Sequence, residues 1–391
     1  MKLRWGIIGG GEGSQIGGTH RIAAARDGAF DFVAGAMDID PERGRDYAKR
    51  LGVAPDRAYG DWQEMLAGET SRSDRIDLVT VATPNASHYP ITKAFLAAGF
   101  DVLCEKPLTT NVADAEDIVR IAHERGRICA VNYGYSGYAL VRHARAMVKR
   151  GDLGRVRVVV AEFAYGHHAD AADADNPRIR WRYDPKLAGV SSVVADAGIH
   201  ALHMACFISG QNIETVSADF ATTVAGRELE DDALVAFRMS GGAVGRLWAS
   251  AVALGRMHGL TIQVYGEKAG LRWAQEQPNQ LYVTYLGEPT RIIERGVAGL
   301  SPEADRASRT VVGHAEGFFS AFANIYADLA EAIRARREGR APDPVALHYP
   351  TAEDGLRSVA TVDAAARSAR AKGAWQPATP PSLAAAQGAG G

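Results

Sequence analysis

From the first residue to about residue 130 the chain alternates short apolar runs with amphipathic stretches. "LRWGII", "FDFVAGAMD", "IDLVTVAT" and "FDVLCE" carry the β-branched and aromatic residues that suit a buried pleated surface, and they predict strands. "RIAAARD", "ERGRDYAKRLG", "HYPITKAFLAAG" and "NVADAEDIVRIAHERG" space their apolar positions as helices do. Such alternation predicts a parallel sheet with right-handed crossovers and helices on both faces.

Past residue 150 the pattern changes. "RVRVVVAEFAY", "TVSADFATTV", "ALVAFRMSGGAVGRLWASAV", "GLTIQVYGEKAGLRWAQ" and "QLYVTYL" are longer and hairpin-like, with Gly241-Gly242 and Gly266-Glu267-Lys268 as turn signals. Leu260, Ile262 and Val264 alternate with Thr261, Gln263 and Tyr265, the mark of an antiparallel sheet covered on one face. "ADAGIHALHMACFISG" and "AEGFFSAFANIYADLAEAIRARREG" predict helices, the second with Phe322, Ile325, Tyr326, Leu329 and Ile333 on one face. A last helix is expected from about Ala352 to Ala371. The expected division is a first domain over 1–130 and a second over 131–375, with the last helix free to pack back on the first. The Pro-, Ala- and Gly-rich tail over 376–391 is expected to be disordered. No internal repeat is found.

Composition narrows the class without changing this picture. A length of 391 residues holds two domains with their own cores. A net charge of −2 argues against a nucleic-acid or anionic-membrane partner. Three scattered cysteines, Cys104, Cys129 and Cys206, fit a reduced interior without a disulfide framework. No run reaches membrane-span length and glycine interrupts the N-terminal apolar run, so a cytoplasmic enzyme is expected.

Directly behind the first strand stands "IGGGEGSQIGGTHR", a strand–turn–helix setting in which glycines let a dinucleotide pyrophosphate approach the backbone. The regular glycine spacing fails, because counting from Gly9 lands on Ser14. With Gly9, Gly11 and Gly17 as the working glycines, the loop is stretched by three residues and the helix begins near Gly17. Glu12-Gly13-Ser14-Gln15 bulges between them, with Gly13, Ser14, Gln15 and Ile16 expected at the cofactor, Ser14 and Gln15 as extra donors. Asp38 then lies 21 positions beyond Gly17, where an acid that binds ribose is expected, and it favours NAD over NADP by repelling a 2′-phosphate. The competing possibility is that Asp38 only begins the turn at Asp40-Pro41.

Further along, "FDVLCEKPLTT" places Glu105-Lys106-Pro107 after what reads as the fifth strand, and "TPNASH" follows the fourth. "DAGIH" at 196–200 and "YPTAEDGLRS" come after them in order. This ordered set resembles the family of glucose–fructose oxidoreductase, inositol dehydrogenase and MocA-type proteins. The resemblance implies an α/β fold: an N-terminal Rossmann domain that binds NAD(P), and a C-terminal α+β domain whose open, mostly antiparallel sheet often mediates dimers or tetramers. It also implies a catalytic triad of Lys106, Asp196 and His200. The stretched glycine loop, "WRYDP" and "GHAEGF" are similar to bacterial sugar and cyclitol dehydrogenases of the scyllo-inositol and L-glucose type.

The chemistry is consistent with those residue types. Oxidation of a secondary alcohol needs a base for the hydroxyl proton, and histidine titrates near operating pH. Asp196, four residues before His200, either orients the imidazole or binds a neighbouring hydroxyl. Lys106 donates to the substrate oxygen, held by a proline that restricts it. Each feature alone is more often a solvated loop residue or a surface pair.

Thr83 and Pro84 are expected to shape the nicotinamide pocket, with Asn85 and His88 as cofactor or helix-cap residues and Glu105 and Lys106 beside the cofactor. Tyr135, Arg178, Trp181, Arg182, Asp196, His200 and His314 are the candidates for substrate contact, and Tyr133 stands beside them. Arg180 and Asp184 share their loop. His203 reads as packing, and His167, His168 and Asp170 as a polar loop; no metal is expected. Three functions fit: a dehydrogenase of a cyclic polyol or pyranose, an enzyme that retains NAD while it isomerises, eliminates or cleaves, and a non-catalytic NAD-binding sensor. The partner expected is a small sugar or cyclitol, with self-association as dimer or tetramer.

Overall fold

The computed structural model describes residues 2–171 and 176–388, with the side chains of residues 177, 178 and 385–388 left aside. The chain forms two compact units. The first comprises Met1–Thr109, Ala113–Gly137 and Phe318–Gly355. Its sheet contains β1 (Leu3–Gly9), β2 (Phe30–Ala36), β3 (Leu78–Ala82), β4 (Asp101–Cys104) and β5 (Cys129–Val131), all parallel, in the order β2-β1-β3-β4-β5.

"FDVLCE" is therefore the fourth strand and "IDLVTVAT" the third, each one lower than the sequence numbering. Between β2 and β3 the chain makes helical segments, Pro41–Arg50, Pro55–Arg57 and Trp62–Ser71, with no strand among them. At three residues, β5 is too short to stand out as an apolar run.

The helix Phe318–Arg337 belongs to this first unit and not to the second domain expected from the sequence. The reason is its apolar face: Phe322, Ile325, Tyr326, Leu329 and Ile333 complete the core formed by Trp5, Ile7, Phe30, Leu78 and Leu103. Tyr326 stands edge-on to Trp5, with ring centroids 5.9 Å apart. Beyond that face, Arg336 pairs with Asp101 and Arg337 with Asp77.

The second unit comprises Thr110–Val112, Tyr138–Gly317 and Leu356–Gly391. Its sheet contains β6 (Val156–Ala164), β7 (Ile213–Ala221), β8 (Asp232–Met239), β9 (Val244–Ser250), β10 (Leu260–Gly266), β11 (Ala269–Ala274), β12 (Gln280–Tyr285), β13 (Arg291–Glu294) and β14 (Gln376–Pro377). The order is β13-β12-β11-β10-β6-β9-β8-β7-β14, antiparallel throughout except for β6 against β9. On β10 the predicted alternation holds: Leu260, Ile262 and Val264 are buried, and their neighbours are not. The helix Ile199–Ser209 packs on β6 and β10.

The tail departs from the expected disorder. Gln376 and Pro377 pair with β7, Ala378 N donates to Glu214 O at 2.8 Å, and Arg367 holds both Gln376 Oε1 and Pro377 O. Backbone hydrogen bonds to an open sheet edge outweigh the tail's biased composition there. A helix follows over Pro381–Gly388, and residues 389–391 lie outside the described part. The last long helix, Ala352–Arg370, passes from the first unit into the second at Leu356. Among the described residues no helix is long and apolar enough to cross a membrane.

Leu329 is fully buried, so Leu329→Ala is expected to cost about 2–5 kcal/mol through the cavity it leaves. Urea unfolding followed by far-ultraviolet circular dichroism measures it. A loss near zero would mean that the helix is not part of this core.

Candidate active site

Each unit carries part of the predicted set. In the first, β1 ends at Gly9 and the helix Gln15–Arg26 starts two residues earlier than expected, because Ser14 caps it: Gly17 N donates to Ser14 Oγ at 3.1 Å. The working glycines include one that the sequence reading passed over, Gly10. A Cβ on Gly17 would lie 2.2 Å from Gly10 O and one on Gly10 2.7 Å from the Gly17 Cα, so loop and helix touch backbone to backbone. A Cβ on Gly11 would strike Met37 O at 2.4 Å. Gly13, by contrast, is open to solvent on every side. Gln15 is exposed, and Ile16 packs against the core. A glycine-rich loop ahead of a helix N-terminus fits a dinucleotide pyrophosphate.

Asp38 follows β2, its Oδ2 3.4 Å from where a Gly11 Cβ would stand. Of the two roles expected of it, its hydrogen bonds bear on the turn. Its Oδ1 accepts from Asp40 N at 3.0 Å, which shapes the turn, while Asp40 itself caps the helix Pro41–Arg50. Arg43 grips both carboxylate oxygens, Nε to Oδ2 at 2.8 Å and Nη2 to Oδ1 at 2.6 Å. The Arg43 guanidinium holds the Asp38 carboxyl below its ordinary range.

Thr83 follows β3, its hydroxyl accepting from Ser87 Oγ at 2.8 Å. Pro84 is exposed and Asn85 half-buried in the turn ahead of the helix His88–Ala97. His88 is fully buried, its Nδ1 2.7 Å from Pro107 O and its Nε2 2.8 Å from Thr83 O. Its ring is thus taken up by backbone on both sides.

Glu105 directly follows β4 and is buried beside Lys106, whose peptide bond to Pro107 is cis. Glu105 Oε1 faces His20 Nε2 at 2.9 Å and Asn132 Nδ2 at 2.5 Å, and Lys106 N donates to Oε2 at 3.3 Å. Behind His20 the contacts continue: Nδ1 to Tyr326 OH at 2.8 Å, Tyr326 OH to Thr80 Oγ1 at 2.9 Å, and Trp5 Nε1 to Thr80 Oγ1 at 2.9 Å. An indole only donates, and an ionised carboxylate only accepts. With His20 neutral the protons run one way, from Trp5 through Thr80, Tyr326 and His20 to Glu105. Burial would raise the Glu105 carboxyl, but the hydrogen bonds from His20 and Asn132 hold it below the usual range. Nothing in the sequence pattern signalled His20, Asn132 or Tyr326 as partners of Glu105.

Tyr135 lies in the turn Gly134–Gly137, buried, its ring 5.9 Å from Phe318. The turn sits hard on the helix Phe318–Arg337: a Cβ on Gly137 would lie 2.0 Å from Ala321 O, and Asn324 Nδ2 donates to Gly137 O at 2.8 Å.

In the second unit, Asp196 lies in a π turn, Val194–Gly198, that leads into the helix bearing His200. This insertion replaces the plain helix expected over both residues. Glu230 anchors the turn's entry: its Oε1 accepts from Ser191 Oγ at 2.5 Å, Ser192 N at 2.9 Å and Val194 N at 3.3 Å. Burial raises the Glu230 carboxyl above its ordinary range despite those donors. Arg182 Nε donates to Asp196 Oδ2 at 3.1 Å, which joins two of the predicted site residues, and its guanidinium lies over the Trp181 ring at 4.6 Å. His200 is buried, 6.1 Å from the Phe163 ring, on which His258 stacks at 4.6 Å. Phe163 and His258 were not singled out from sequence, because they come from different strand ends.

The other candidates divide. His203 stacks on Phe207 in the interior, as packing. His168 Nδ1 meets Tyr183 OH at 3.1 Å, and His167 stacks on Tyr165. His314 is exposed, with its carbonyl accepting from Arg295 Nη2 at 2.6 Å. Arg178 falls in the short helix Pro177–Arg180, and its side chain lies outside the described residues. Among the described residues no three His, Cys, Asp or Glu side chains gather to hold a metal ion.

Residues 3–133 match the oxidoreductase family with the NAD-binding Rossmann fold, and residues 141–272 match the Gfo/Idh/MocA C-terminal domain. The chain belongs to the Gfo/Idh/MocA oxidoreductases. It is 38% identical to the uncharacterised oxidoreductase YfiI of Bacillus subtilis, over 95% of this chain and 96% of that one. An inositol dehydrogenase homologue from Azotobacter vinelandii, solved with NAD+, is 41% identical, with a TM-score of 0.92 over 96% of this chain and 97% of that one. The same homologue solved with NADH and myo-inositol gives 40% identity and a TM-score of 0.88, over 96% and 98%. This Gfo/Idh/MocA chain is thus an NAD-binding oxidoreductase, and the glycine loop lies in its Rossmann domain.

Gly17→Ala must separate loop from helix, so NAD affinity is expected to fall at least about tenfold, roughly 1.4 kcal/mol. Gly28→Ala, outside the loop, has room, and its φ of +63° costs only about 1 kcal/mol of stability. Calorimetric titration with NAD compares the two; equal losses would show that the backbone contact is irrelevant.

Proposed function

We propose that this protein is an NAD-dependent dehydrogenase that oxidises a secondary hydroxyl of a cyclic polyol or pyranose to the keto form. The observation that carries this reading is the whole-length likeness to a protein solved with NADH and myo-inositol. The Lys106, Asp196 and His200 set supplies the chemistry it needs.

When bound, NAD supplies the hydride acceptor. Gly9, Gly11, Gly13, Ser14, Gln15 and Ile16 receive the pyrophosphate and Asp38 the adenosine ribose. Thr83, Pro84, Asn85 and Glu105 serve the nicotinamide end. An imidazole nitrogen of His200 takes the hydroxyl proton. Lys106 Nζ donates to the same oxygen as its negative charge develops. Asp196, steadied by Arg182, orients the imidazole or holds an adjacent hydroxyl. Tyr135, Arg178, Trp181, Arg182 and His314 offer ring faces and donors to a substrate whose edges are hydroxyls.

The outer face of the second unit's sheet is the proposed self-association surface. Leu234, Val244 and Trp375 are exposed there around a groove of about 610 Å³ that also contains Arg238, Arg246, Asp219 and Glu162. Apolar area with both charges suits a second copy of the same surface. Light scattering of Leu234→Glu is expected to show a smaller assembly than wild type. An unchanged mass would remove this face from the interface.

A panel of inositols, aldoses and glucosides with NAD is expected to contain at least one that gives stoichiometric NADH by absorbance. Lys106→Ala and His200→Ala should each lower kcat by roughly 10²–10⁴-fold with NAD binding kept. Product without free NADH, or turnover unaffected by both variants, would sink the reading.

A further inference from the structure

The buried ring of His88 faces a backbone carbonyl at each nitrogen, with the Cys104 sulfur also against it. Nδ1 lies 2.7 Å from Pro107 O and Nε2 2.8 Å from Thr83 O. A neutral imidazole has one N–H, so its second nitrogen would set a lone pair against a carbonyl lone pair at hydrogen-bond distance. Both contacts are favourable only when both nitrogens carry protons. We propose that His88 is held as an imidazolium that ties the loop after β3 to the Lys106-Pro107 turn, and so acts as a positioning residue for Lys106.

Two effects oppose a cation here. Burial disfavours it, and His88 is the first residue of its helix, where the dipole is positive. What offsets them is local. Both N–H···O bonds are charge-assisted, and the Cys104 sulfur of β4 faces the same ring. Burial lowers the imidazolium, yet the sulfur and the two carbonyls push it up to about 9.

The consequence lies in what the two carbonyls belong to. Thr83 follows the third strand and Pro107 follows Lys106, so one ring spans the gap between two loops that the sheet alone leaves separate. Pro107 O is displaced from Lys106 by a single residue. Losing the tie lets the lysine's backbone drift while the sheet beneath stays intact.

The inference rests on the dehydrogenase reading only for the role of Lys106, and the test separates the two. Long-range proton–nitrogen NMR of ¹⁵N-histidine-labelled protein, with His88→Gln to assign the signals, is expected to show both His88 nitrogens protonated at pH 8. A neutral-tautomer pattern would overturn the proposal. Acetylation of Lys106, read by mass spectrometry against exposed Lys49, is expected to rise several-fold in His88→Gln, without any substrate. With an active polyol, kcat should fall roughly ten- to hundredfold and KM far less. Unchanged Lys106 labelling and unchanged kcat would overturn the positioning role even if the ring proves charged. If no polyol is turned over, the resonance and labelling results still decide the proposal.

Discussion

A carboxylate removed from water survives only where donors surround it, and the first unit is arranged around that demand at Glu105. Five residues from five separate stretches of sequence, Trp5, His20, Thr80, Asn132 and Tyr326, serve one carboxylate. Because the order begins at a donor-only indole and ends at an acceptor-only carboxylate, no hydroxyl in it is free to turn. Lys106 follows directly in sequence, so its backbone inherits that rigidity. The helix Phe318–Arg337 is required not only as apolar cover but as the source of the tyrosine that fixes the His20 tautomer.

Much of this architecture was legible in the chain. The alternation of apolar runs gave the parallel sheet, and the alternation within "LTIQVY" gave the covered face of the second sheet, because both depend on periodicities of two and near four. The glycine loop could be located by its place behind β1. Its register could not be fully assigned: Gly10 and Gly17 touch through space, and spacing rules count only along the chain. The relay behind Glu105 was invisible for the same reason, since Glu105 and Tyr326 are 221 positions apart and neither carries a local signature. The domain boundary missed the return of the chain after residue 317, because an amphipathic face says that it is buried without saying against what. The tail was misjudged on composition, where an open sheet edge decided the outcome.

The second unit shows another way to hold a reactive group. Asp196 sits where the helix widens into a π turn, and Glu230 satisfies the amides at its entry. Such insertions cost regular hydrogen bonds and are common at functional sites. Here the irregularity sets Asp196 against Arg182 while His200 stays on the regular helix that follows.

The return of residues 318–355 to the first unit also bears on how the protein is made. On the ribosome, the strands and early helices of the nucleotide-binding sheet emerge long before the helix that covers their core and supplies Tyr326. Trp5, Phe30 and His20 must therefore wait through the synthesis of the whole intervening sheet domain. A chain cut after residue 137 would present that apolar surface to solvent, so the cofactor domain matures only after most of the sheet domain has been made.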